Sequence, residues 1–158
     1  AIRKSDHLIH VPYQSYEPVV RFFEETVRDP KVTHIKIVLY RAARKSRIIQ
    51  ALMDAAKAGK QVSVFIEVKA RFDEEANLEW GEKLERAGVS VHYSFPGVKV
   101  HAKLALVRLG AERWSAVGSL NGGETSHKLN REVMVMTDLA GVYERLHEVF
   151  SWDWAQTK

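Results

Sequence analysis

The sequence contains no cysteine. That absence excludes disulfide frameworks, thiolate metal sites and cysteine nucleophiles together, and it fits a reducing compartment. No apolar run approaches the about 18 residues that a membrane-spanning helix needs. The opening Ala1-Ile2-Arg3-Lys4-Ser5-Asp6 lacks the apolar core of a signal peptide and reads as a cut out of a longer chain. There is no internal repeat, low-complexity tract or linker. His7, His10, His34, His92, His127 and His147 show no metal-ligand spacing. The four tryptophans, Trp80, Trp114, Trp152 and Trp154, read as core or lid residues and form no stacking platform.

What is present is the composition of one folded domain. The 158 residues are 46% apolar and 28% charged, which is globular and not disordered. The formal net charge of +4 at pH 7 points only weakly to anionic partners.

Hydrophobic periodicity predicts an alternation of strands and helices. A strand over His7 to Val11 stops at Pro12, and a helix follows from Tyr16 to Val27 with Ser15 as its cap and Pro18 in its first turn. Thr33 to Tyr40 is β-branched and reads as a strand. Ser46 caps the next helix, which carries an apolar stripe through Ile48, Ile49, Leu52, Met53 and Ala56 and ends at Gly59. Val62 to Val68 is a third strand, Asp73 to Ala87 a helix stopped by Gly88, and Val89 to Tyr93 a fourth strand. The rhythm changes after Pro96-Gly97, where Val98 to Leu109, Arg113 to Ser119 and Arg131 to Thr137 read as strands without helices between them. A helix from Leu139 to Trp152, capped by Asp138, closes the chain. Strand-helix alternation predicts a parallel part with right-handed crossovers, joined here to an antiparallel part.

Three features carry chemistry. His101-Ala102-Lys103 falls in the middle of a predicted strand, where residues two apart share a face. Neutral histidine is a nucleophile near neutral pH, and a lysine beside it neutralises phosphate oxygens. The plainer reading is a half-buried histidine and a snorkelling lysine. Gly118-Ser119-Leu120-Asn121 follows one strand and Asn130-Arg131-Glu132 opens another. Such small and amide residues can bond a phosphate oxygen, although Gly122-Gly123 also fit an ordinary hairpin. Third, Arg41 and Arg71 each come just after a strand of the parallel part, where the ligand crevice of an α/β sheet lies. Arg44, Lys45, Arg47 and Lys69 would deepen a positive mouth there, or else are solvated loop charges. Glu67, Asp73, Glu74 and Glu75 are candidates for a divalent cation, with an acidic first helical turn as the simpler account of the last three.

These residues carry a resemblance. From Ala1 to about Leu106 the chain resembles the first catalytic C-terminal domain of long-form bacterial polyphosphate kinases. The matching blocks are Asp6 to Tyr13, Ile35 to Arg41, Ser46 to Ile49, Ala70 to Asn77 and Pro96 to Leu104. The resemblance implies an α/β fold, a phospholipase D-like α/β/α domain with a mixed, mainly parallel sheet flanked by helices. It implies that His101 accepts the γ-phosphate of ATP, that Lys103 neutralises charge beside it, and that Arg41 and Arg71 belong to the family's phosphate and magnesium site. Ser119 and Asn121 are candidate phosphate binders. Mg2+ is the implied cofactor, and ATP and polyphosphate are the implied substrates. A cytoplasmic location follows, or a membrane-associated one as part of a larger enzyme.

The last third, residues 107–158, is more similar to a phospholipase D-type segment: His-x-Lys, then Gly-Ser-x-Asn, then Asn-x-Glu. The aspartate of that pattern, five residues after the lysine, is Arg108 here. A divergent natural member and a hybrid of two segments both fit the change of character. With one His-x-Lys motif, a second phospholipase D-like domain or a homodimer partner is expected to complete the site. The alternatives to a phosphotransferase are a homodimeric phosphodiesterase or nuclease, the only reading that brings in nucleic acid, and a stable or engineered domain without turnover.

Overall fold

Strands form where β-branched and aliphatic residues cluster, and their alternation decides which side chains enter which core. The computed structural model describes residues 5–41, 46–69, 74–95, 97, 99–121 and 130–157. Arg44, Lys45, Arg71, Asp73, Pro96, Gly122, Gly123 and His127 lie outside the described residues. Among the described residues seven strands, β1 (His7–Val11), β2 (Val32–Leu39), β3 (Gln61–Ile66), β4 (Ser90–Tyr93), β5 (Leu104–Leu109), β6 (Glu112–Gly118) and β7 (Glu132–Thr137), build one sheet in the order β1-β7-β6-β5-β2-β3-β4. β2, β3 and β4 pair in parallel. The remaining neighbours pair antiparallel. It follows that β1, β2, β3, β4 and β6 run one way and β5 and β7 the other.

Helices cover both faces. On one face Ile35, Ile37 and Leu39 of β2 pack with α1 (Glu17–Arg28) and α2 (Arg47–Lys57). Leu84 of α3 (Glu74–Arg86) joins the same core. On the other face Val38, Phe65 and Leu106 meet Tyr143 and Phe150 of α4 (Ala140–Ala155). The punctuation read from the residues places the helix ends well. Ser46 Oγ accepts the Ile49 N–H at 3.3 Å, and Pro18 sits in the first turn of α1. Past α2 and α3, Gly59 and Gly88 take φ of +84° and +90°, which a side chain would resist.

Three expectations change. The strand expected from Val98 begins only at Leu104. The Val100 N–H is taken by the Glu67 carboxylate at 2.6 Å, so this stretch is held by a side chain and not by a ladder. Asp138 does not cap the last helix; its N-cap is Leu139, whose N–H goes to Thr137 Oγ1 at 3.1 Å. That helix also runs on to Ala155. Ser15 lies one residue outside the N-cap of α1, which is Tyr16, and its hydroxyl accepts the Glu17 N–H at 3.1 Å. Among the described residues no helix is long and apolar enough to cross a membrane.

The mixed directions matter for function. The carboxyl ends of β2, β3 and β6 and the amino ends of β5 and β7 all meet at one end of the sheet.

Candidate active site

At that end the chain leaves β2 through Tyr40 and Arg41 and enters β5 through residues 99–103. Tyr40 is 7% exposed, and its ring is the hub of the site. Lys103 Nζ lies 4.4 Å from the ring centroid, and Lys99 Nζ and the Arg41 guanidinium lie 5.6 Å from it. The His101 ring meets Tyr40 edge-on at 4.8 Å. An aromatic face attracts cations through its quadrupole, so one buried tyrosine gathers three positive side chains around an exposed imidazole.

His101 and Lys103 are therefore neighbours, as the sequence motif predicts, but not through a shared strand face. They precede β5, and Lys103 is fixed instead by its Nζ, which donates to the His101 carbonyl at 2.6 Å. Its own carbonyl accepts the Gly118 N–H at 3.2 Å, which extends the β5–β6 ladder by one bond.

Electrostatics then set the protonation states. Burial and the positive charges of Lys103, Lys99 and Arg41 lower the pKa of His101, opposed by the carboxylate of Glu132 at the start of β7. The imidazole is thus held neutral and nucleophilic. Burial brings Lys103 down to about 8, with Arg41 and Lys99 pushing the same way and Glu132 holding it up. Most of its charge survives at neutral pH.

Behind these groups stands a framework of buried polar residues. Glu67 is 1% exposed and accepts from Val100 N–H at 2.6 Å, Lys69 N–H at 2.9 Å and Ser94 Oγ at 2.9 Å. Asn77 of α3, equally buried, donates through Nδ2 to the carbonyls of Tyr40 at 3.0 Å and Glu67 at 2.9 Å. Asn77 thereby ties the ends of β2 and β3 together, and Glu67 ties β3 to the stretch that presents His101. A carboxylate already accepting three hydrogen bonds is a brace, so the divalent-cation role considered for Glu67 is set aside. Among the described residues no group of three or more His, Asp or Glu could hold a metal ion.

The other sequence candidates divide. Arg41 is at the mouth, while Arg71 lies outside the described residues. Ser119 is at the same end of the sheet, but its Oγ accepts the Val133 N–H at 3.1 Å and so closes β6 onto β7. Asn121 follows, half-buried beyond β6. Arg47 does not deepen the mouth: Glu24 and Glu17 hold its guanidinium at 2.8 Å each, bridging α1 and α2. Trp114 is core, Trp152 is 65% exposed, and Trp154 stacks on His92 at 3.7 Å. A cavity of about 440 Å³ between α1 and the far ends of β5 and β6 shares no residue with the mouth.

The residues alone do not single out Tyr40, Lys99 or Asn77, and they present Glu132 only as part of a spacing. A buried aromatic at a strand end carries no signal of function. The runs Tyr40-Arg41 and Lys99-x-His101-x-Lys103 were the available hint, because basic residues crowd two strand ends that a mixed sheet brings together.

Comparison with known proteins follows the same lines. Residues 1–154 match the family model described as polyphosphate kinase C-terminal domain 1. This match runs past the point near residue 106 where the sequence changes character. A polyphosphate kinase of Exiguobacterium sp. is 41% identical over 157 residues, which is 96% of this chain and 22% of that protein. The crystal structure of polyphosphate kinase from Porphyromonas gingivalis superposes with a TM-score of 0.81 at 40% identity, covering 96% of this chain and 27% of the other. Nuc from Salmonella typhimurium, a phospholipase D family member, gives a TM-score of 0.78 at 19% identity and covers 98% and 96% of the two chains. The likeness to Nuc shows the fold alone. This chain spans about a quarter of the polyphosphate kinases it matches.

Proposed function

The chain belongs to the polyphosphate kinase family, and on that premise we propose that it is a phosphotransferase domain that moves the γ-phosphate of ATP to polyphosphate through His101. The observation that carries the reading is a neutral-leaning, exposed imidazole ringed by Lys103, Lys99 and Arg41 around Tyr40. An imidazole lone pair attacks phosphorus, the N–P bond forms as the P–O bond to ADP breaks, and the bonding pair leaves with ADP. A terminal polyphosphate oxygen then attacks the phosphohistidine, and the N–P pair returns to the imidazole. The three cations offset the negative charge that would otherwise repel each nucleophile, which is where most catalysis of phosphoryl transfer lies.

The described residues fit phosphate better than a protein-held metal. Arg41 is itself a cation and cannot ligate Mg2+; its fork suits phosphate oxygens. No step is therefore assigned to the ion. The phosphodiesterase reading is weaker, because the likeness to Nuc at 19% identity is one of fold, while the family model over residues 1–154 is that of a polyphosphate kinase domain.

The test is incubation with γ-labelled ATP and Mg2+ over a range of protein concentrations. Acid-labile, base-stable label that His101→Ala removes supports the reading. A labelling rate that rises with the square of protein concentration adds a partner copy to the site. Label that persists in His101→Ala overturns the proposal, as does no label where a full-length polyphosphate kinase is labelled.

A further inference from the structure

The arginine that stands in place of the phosphodiesterase aspartate is not at the mouth. Arg108 is near the other end of β5, five residues beyond Lys103 and so about 17 Å away along an extended strand. The register brings basic residues to it from both sides: His34 of β2 is directly opposite Arg108, and Arg108 is directly opposite Arg113 of β6. Opposed residues share a face, and Lys36 shares it with His34. This is the face that α4 crosses. Lys36 Nζ reaches His147 Nε2 at 2.9 Å, and the Arg113 guanidinium lies 5.8 Å from the Tyr143 ring.

Among the described residues no ion pair compensates the charge of this cluster. Burial, and after it the positive charges of Arg108, Lys36 and Arg113, lower the pKa of His34, opposed by a hydrogen bond with Gln61. Glu144 acts on His147 and Tyr143. Among the described residues the ion pairs are Arg21–Glu17, Arg47–Glu17, Arg47–Glu24, Lys83–Glu79, Arg86–Glu82 and Arg145–Glu148. None involves Lys36, Arg108 or Arg113. Like charges directly opposed in a ladder destabilise it, so the arrangement costs stability that a bound anion would restore. Arg108 is exposed and His34 and Arg113 are half-buried, which leaves the row open to solvent.

We propose that His34, Arg108 and Arg113, backed by Lys36, form a second polyanion site that holds a distal stretch of inorganic polyphosphate while the chain end is at the mouth. The proposal rests on the phosphotransferase reading for the identity of the anion. Polyphosphate is favoured over a single-stranded nucleic acid because the described residues of the patch offer no free stacking platform. The Tyr143 ring is buried beneath Arg113 and stacked with His147, and the Phe150 ring, 5.3 Å from Lys36 Nζ, is buried too.

Binding of long-chain polyphosphate and of tripolyphosphate, measured across a salt series on wild type, Arg108→Gln and Arg108→Gln/Arg113→Gln, tests this. A single-stranded polyanion releases about 0.7 counterion per phosphate contact. The salt slope for the long chain should therefore flatten by about 0.7 in the single variant and about 1.4 in the double, with roughly tenfold weaker binding in the latter. Tripolyphosphate binding and His101 labelling should not change. Arg113 donates to the Gly110 and Glu112 carbonyls, so the double variant can loosen its hairpin. Arg108 makes no such bond, and the single variant keeps the test decisive. Unchanged slope and affinity in both variants overturn the distal site while leaving His101 chemistry intact. Loss of labelling in wild type overturns the parent reading instead. If single-stranded RNA of equal charge displaces the long chain equally well, the patch is a nucleic-acid site and its assignment to polyphosphate is overturned.

Discussion

Burial brings the charge of Lys103 within reach of titration near neutral pH. With a pKa near 8, its protonated fraction falls from about nine-tenths at pH 7 to about one-tenth at pH 9. If its charge stabilises the transferring phosphoryl group, the initial rate of His101 labelling should fall about tenfold over that interval. Lys103→Arg, whose guanidinium stays charged, should abolish this descending limb even if its longer fork lowers the maximum rate. Glu132→Gln removes the carboxylate that holds the lysine up and should move the limb to lower pH. The lowered pKa of His101 places the acid limb below the usual histidine value, so a plateau should span neutral pH. Stability should follow the opposite trend. The native pKa lies below the unfolded one, so the unfolded chain binds more protons between the two values. Unfolding free energy therefore rises with pH from about 8 to 10.5. Labelling kinetics at constant ionic strength and urea titrations at matched pH measure both. A flat wild-type rate across the interval, or an unchanged limb in Lys103→Arg, would refute the assignment.

Three further outcomes follow from the framework around the mouth. Asn77→Ala strips a donor from two buried carbonyls, Tyr40 and Glu67. It should cost about 2–3 kcal/mol in urea unfolding and slow His101 labelling; a variant as stable as wild type would refute the bracing role. Gly118→Ala would press a methyl onto the Val133 carbonyl oxygen and to 2.8 Å of Met134 Cα, both backbone, so a loss of at least about 1–3 kcal/mol is expected. Arg47→Ala should reduce thermal stability slightly and more so at low salt, since its pairs with Glu17 and Glu24 are exposed. Tripolyphosphate affinity should stay the same, and a drop would return Arg47 to the mouth.

What was legible in the residues is what local chemistry decides. The Ser46 cap and the turns at Gly59 and Gly88 mark helix ends by themselves, and the β-branched run of β2 needs no distant partner to be a strand. Illegible features depend on long-range contacts. The delayed start of β5 depends on Glu67, 33 residues before Val100, and no propensity of Val98 to Lys103 contains that information. Arg47 reads as a mouth cation until the packing of α1 beside α2 brings it two glutamates. The roles of Tyr40 and Glu132 emerge only when antiparallel pairing brings the starts of β5 and β7 to the end of β2.

That pairing also explains why His101 is placed where it is. A wholly parallel sheet supplies only carboxyl ends to its crevice, each followed by a loop that must climb to the next helix. Inserting β5 in reverse delivers residues 99–103 to the crevice before their strand begins. Their backbone is not yet committed to a ladder, so the Val100 N–H can be held by one carboxylate from the neighbouring strand end. His101 is thus exposed on a segment anchored on both sides, by Glu67 before it and by the Lys103–Gly118 bond after it. The same reversal fixes where β5 goes next. It carries Arg108 away from the mouth to the opposite end of the sheet, opposite His34 and Arg113. One strand therefore runs from the Lys103 side of the mouth to that basic row about 17 Å off, and on the proposed reading an anion long enough to touch both is the ligand whose geometry that strand matches.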